Sequence, residues 1–85
     1  MTEIPALARH HRFRWEPVRG CYVVVGPEAA LLLNETAAAV VAACDGRRDV
    51  GGVVEAVMDD FDEVDRRQVN ALLADLTAGG YLQWR

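Results

Sequence analysis

Residues 31–46 read LLLNETAAAVVAACDG, an apolar strand that runs into a helix with no loop between them. Leu31, Leu32 and Leu33 meet Asn34, and an alanine-rich run follows as far as Asp45 and Gly46. Asn34 makes so abrupt a junction feasible. Its side-chain oxygen can accept a hydrogen bond from a free backbone N–H in the first helical turn. Glu35 stands where the helix dipole favours an acid. Ala37, Val40, Val41 and Cys44 then recur at i, i+3, i+4 and i+7, one apolar face, and Gly46 supplies a left-handed stop.

Upstream of this junction the pattern is that of strands. In HRFRWEPV, Phe13 and Trp15 alternate with Arg12 and Arg14, a period of two that suits a half-buried strand. PVRG (17–20) is a turn. CYVVV (21–25) is β-branched and aromatic, and GPE (26–28) turns it into AALLL (29–33). Three strands joined by short turns form an antiparallel meander. Residues 1–10 show no period and are expected to be a flexible arm.

Downstream the pattern is helical. Asp49 caps a helix in which Val50, Val53, Val54, Val57, Met58 and Phe61 form an apolar stripe, although Gly51 and Gly52 weaken its first turn. Asp62 is expected to cap a third helix, 63–78, that buries Val69, Leu72, Leu73 and Leu76 and stops at Gly79-Gly80. YLQW (81–84) alternates and reads as a short terminal strand. The expected class is α+β over one domain, 1–85: a small three-stranded antiparallel sheet followed by three helices, winged-helix-like in its order.

Composition narrows the function. The chain has 85 residues, 52% of them hydrophobic, which is too apolar for disorder. Thirteen acids against nine bases give a net charge of −4, and all nine bases are Arg. A protein whose main partner is nucleic acid is usually basic. Neither a signal layout nor an apolar run of membrane-spanning length is evident. The expectation is a cytoplasmic protein with no membrane partner, whose Cys21 and Cys44 stay reduced.

Residues suited to catalysis or metal binding do not cluster. His10 and His11 are adjacent and point apart on a strand, a poor metal clip. Cys44 lies on an apolar helix face with no nearby histidine. DDFDEVD (59–65) lacks the central glycine and terminal glutamate of a calcium loop. With no catalytic constellation and no cofactor site, the pattern is that of a binding protein.

Two kinds of partner fit the order of elements. A helix-turn-helix over 50–78 beside a small sheet is the layout of a winged-helix DNA reader, but the acids between Asp59 and Asp65 would lie close to phosphate. The other partner is an extended peptide, because the third strand of a meander can be an open edge that invites another strand. A second copy of the chain, forming a homodimer, or the segment 81–84 would equally cover that edge.

Several of these residues also carry a family resemblance. Pro27-Glu28, Leu33-Asn34, Thr36-Ala37 and Cys44-Asp45-Gly46, with RFRWEPVRGCYVVV before them and QVNALLADLTAGGYL after, resemble the PqqD family of pyrroloquinoline quinone biosynthesis proteins. The likeness spans about residues 7–83 and departs at Gly51-Gly52, where relatives more often carry helix formers. It implies a peptide chaperone rather than an enzyme. Such a protein binds the ribosomal precursor peptide PqqA and presents it to PqqE, a radical S-adenosylmethionine enzyme that joins a Glu and a Tyr side chain. A recognition domain of another modified-peptide pathway is the nearest alternative.

The resemblance also implies where the peptide lies: beside the third strand and against the third helix. The expected site is the strand Ala29, Ala30, Leu31, Leu32 and Leu33, with a helical stripe of Arg66, Asn70, Leu73 and Thr77 at i, i+4, i+7 and i+11. In that arrangement Leu73 gives apolar contact, Asn70 bonds the peptide backbone and Arg66 meets an acidic side chain. The strand's alternation puts Leu31 and Leu33 on one face and Ala30 and Leu32 on the other, without showing which is inside.

Overall fold

The computed structural model describes residues 3–85. β2 (Arg12–Glu16), β3 (Cys21–Val25) and β4 (Ala30–Leu33) form an antiparallel sheet in that order. The β2–β3 turn closes with the Gly20 N–H donating to Glu16 O at 2.8 Å, and Gly20 takes a φ of 67° that a side chain would resist. Pro27 and Glu28 form the β3–β4 turn, where the Gly26 N–H donates to Ala29 O at 2.9 Å. Register pairs Phe13 with Val24, Trp15 with Tyr22, Val24 with Leu31 and Tyr22 with Leu33. These residues therefore share one sheet face, and Val24 and Leu33 on it are buried in the core. Leu31 and Leu33 face inward, while Leu32 on the opposite face is 51% exposed.

α1 (Glu35–Ala43) starts directly at β4, as its sequence requires. Asn34 Oδ1 accepts from the Ala37 N–H at 2.8 Å. The apolar face is buried throughout: Ala37, Val40, Val41 and Cys44 are all less than 9% exposed, and so are Ala38 and Ala43. Small side chains on several sides let α1 pack on β3, β4, α2 and α3. The chain leaves it through Gly46, at φ 79°.

α2 (Val50–Asp60) is capped by Asp49, whose Oδ1 accepts from the Gly52 N–H at 2.8 Å, so the two glycines do not delay its start. It buries Val53, Val54 and Val57. Each such valine contributes about 1.5–3 kcal/mol by leaving water.

α3 (Arg66–Ala78) begins three residues later than position 63, where the sequence places its start after an Asp62 cap. The cap is Asp65, which accepts from the Gln68 N–H at 2.9 Å while Gln68 Oε1 accepts from the Asp65 N–H at 3.0 Å. This reciprocal box satisfies two free donors at once, which Asp62, in the turn after Phe61, does not do.

The expectation of a flexible arm is corrected for the described residues. β1 (Pro5–Leu7) pairs antiparallel with β5 (Leu82–Trp84). Ile4 and Arg85 exchange backbone bonds of 3.1 and 3.0 Å, and Ala6 bridges to Asp45. Residues 1 and 2 of the arm lie outside the described residues. The C-terminal strand is thus spent on β1 and does not cover β4. The architecture is α+β with the sheet before the helices, and the winged-helix likeness rests on element order alone. Among the described residues no helix is long and apolar enough to cross a membrane.

Candidate functional site

β4 is one edge of the three-stranded sheet, and among the described residues no strand pairs with its outer side. Its ladder shows which backbone groups are free. The bond from the Gly26 N–H to Ala29 O makes those two a hydrogen-bonded pair. Bonded and non-bonded pairs alternate along an antiparallel ladder. With the observed register, Val24–Leu31 and Tyr22–Leu33 are therefore bonded pairs. Ala30 and Leu32 turn their N–H and C=O away from β3, toward the open edge.

Beside that edge lies a trough of about 250 Å³ formed with α3, lined by Leu31, Leu32, Leu33, Asn34, Ala37, Leu72, Asp75, Leu76 and Tyr81. Its walls are largely apolar. Among the described residues Asp75 has no ion-pair partner, the ion pairs being Arg14–Glu16 and Arg48–Asp45.

The structure brings most of the expected strand residues, but none of the expected helical stripe, to the trough. Ala30, Leu31, Leu32 and Leu33 form β4, but Ala29 precedes it and its carbonyl is used in the turn. Leu73, expected to give apolar contact, is 3% exposed and belongs to the core. Thr77 is engaged elsewhere: its hydroxyl donates to Leu73 O at 2.6 Å and accepts from Trp84 Nε1 at 2.9 Å. Arg66 and Asn70 are exposed on that same stripe and do not line the trough. Leu72, Asp75 and Leu76 do, one position round the helix. The helical period leaves adjacent Leu72 and Leu73 nearly equivalent. Only the docking angle of α3, set by Val69, Leu73 and Leu76 in the core, separates them.

The residues after α1 hold a loop rather than a reactive centre. Burial pushes the Cys44 thiol up to about 12, with the neighbouring Asp45 charge adding to it, so the reactive thiolate is scarce at neutral pH. Asp45 is held below its ordinary value chiefly by the Arg47 N–H at 2.9 Å, helped by the Arg48 N–H and guanidinium. Both cysteines are free thiols.

Comparison with known proteins places the chain in a family. The family profile described as coenzyme PQQ synthesis protein D (PqqD) matches residues 21–82. A protein of Stutzerimonas stutzeri (strain A1501) named "PqqA binding protein" is 46% identical over 54 residues, covering 64% of this chain and 59% of that one. One of the same name from Azotobacter vinelandii is 40% identical over 65 residues, 76% of this chain and 71% of its own. The solution structure of the PqqD truncation of Methylobacterium extorquens PqqCD superposes with a TM-score of 0.70 at 30% identity, covering 93% of this chain and 87% of that one. That truncation is described as a functional, stand-alone recognition element for ribosomally synthesised, post-translationally modified peptides. With most of its length matched by the family profile and its fold by a solved member, the chain belongs to the PqqD family.

Proposed function

We propose that this chain carries the precursor peptide PqqA in the assembly of pyrroloquinoline quinone, holding it as an added strand on β4 and presenting it to the radical enzyme PqqE. The observation that carries the reading is the open β4 edge beside an apolar trough. The names of the relatives and the description of the solved PqqD structure support the choice of ligand. Backbone groups of Ala30 and Leu32 provide hydrogen bonds that any extended peptide can use. The trough provides selection: Leu31, Leu72 and Leu76 take apolar side chains, and Asp75 favours a basic or hydrogen-bond-donating one. The protein contributes no chemistry of its own in this scheme. It orders a flexible peptide and delivers it, in the cytoplasm where ribosomes make it.

Calorimetric titration with synthetic PqqA tests this. Leu32→Pro removes an N–H that the sheet itself does not use, a substitution an edge strand tolerates, and should abolish binding while the fold survives. Leu72→Asp should weaken binding at least tenfold, about 1.4 kcal/mol, whereas Asn70→Ala should leave it unchanged. Wild-type affinity in both folded trough variants would overturn the site.

A further inference from the structure

A second groove is larger than the peptide trough. It lies between the inner face of β2 and β3 and one side of α1, has a volume of about 830 Å³, and is lined also by Asp60 and Phe61. Its wall is an aromatic stack: Phe13 lies on Tyr22 at 5.0 Å and 20°, and Trp15 meets Tyr22 edge-on at 5.0 Å and 72°. Trp15 and Tyr22 nevertheless stay 50% and 41% exposed, a large apolar surface left to water. Glu35 and Asp60 line the same groove. Neither has an ion-pair partner among the described residues.

Asp60 is also badly placed for the fold. It ends α2, where the helix dipole disfavours an acid, and the last turn holds no basic residue to offset it. Aromatic faces beside uncompensated carboxylates form a receptor for a cation. Arginine suits it best, because its guanidinium stacks on an indole while bonding a carboxylate.

We infer that this groove docks an arginine-bearing apolar segment of the enzyme that receives the peptide. The inference rests on the carrier reading above, since a carrier must touch its recipient without releasing its cargo. The layout permits both contacts. The groove is walled by β2 and β3 and the peptide edge is β4, while Leu33 and Asn34 line both the groove and the trough. A partner seated in the groove would therefore abut the bound peptide.

Purified PqqE is the probe, titrated into the full chain with and without synthetic PqqA. Trp15→Ala and Asp60→Arg should each weaken enzyme binding at least tenfold, leave PqqA affinity unchanged and keep the circular dichroism spectrum. Asp60→Asn should weaken enzyme binding less, flatten its salt dependence and slightly raise the melting temperature, a combination that a purely structural role does not give. Wild-type enzyme affinity in both Trp15→Ala and Asp60→Arg, or no enzyme binding by the folded wild type, would overturn the inference. Enzyme binding through the groove by a wild-type chain that fails to bind PqqA would overturn the carrier reading and leave the groove standing.

Discussion

Asn34 joins two elements that would otherwise need a loop, and it does so through one bond of 2.8 Å to the Ala37 N–H. Asn34→Ala should cost about 1 kcal/mol in a denaturant melt without abolishing the fold; no change would mean that the helix start is held by other contacts. This residue was legible because a cap acts on its own next few residues, so sequence neighbours contain the whole interaction. Leu73 was not legible in the same way. Both Leu72 and Leu73 satisfy a helical apolar stripe, yet Leu73 is buried at 3% exposure while Leu72 lines the trough. Choosing between them requires the rotation of α3 against the core, a property of residues far apart in the chain. Thr77 shows the same dependence, since its partner Trp84 reaches it from β5.

At the scale of elements, local chemistry again divides what the sequence shows from what it hides. The β2–β3–β4 meander could be read from alternation in β2, β-branched composition in β3 and the short turns that join the strands. The alternation of YLQW marked β5, but the three residues of β1 are too few for a period to emerge, so the pairing of β1 with β5 across the length of the chain stayed hidden. The start of α3 was misplaced because Asp62 and Asp65 both resemble caps, and the deciding partner, Gln68, answers only Asp65. α2 offers a test of the helix physics. A methyl group on Gly51 would meet only Asp49 Oδ1, at an ordinary 3.6 Å, whereas on Gly52 it would press on Arg48 Cβ at 3.2 Å. Gly51→Ala should therefore stabilise the protein by about 0.5–1 kcal/mol, measured as a higher denaturation midpoint at unchanged slope. A loss of stability would show that the glycine is needed for its backbone conformation.

On the scale of the whole molecule, the sheet has two edges with different surroundings. β2 borders the aromatic groove, and β4 borders the α3 trough with Ala30 and Leu32 facing outward. That β4 is an open edge could be read from the sequence, because an edge can be inferred from a three-strand meander. The helical side had to wait for the packing of α3. As proposed, the precursor becomes a fourth strand on β4. Amide hydrogen exchange, measured residue by residue with and without saturating PqqA, tests this most directly. The Ala30 and Leu32 N–H groups, free in the unbound chain, should become strongly protected on binding, while Leu31 and Leu33, already bonded to β3, should change little. Unchanged exchange at Ala30 and Leu32, with new protection on β2 instead, would contradict it.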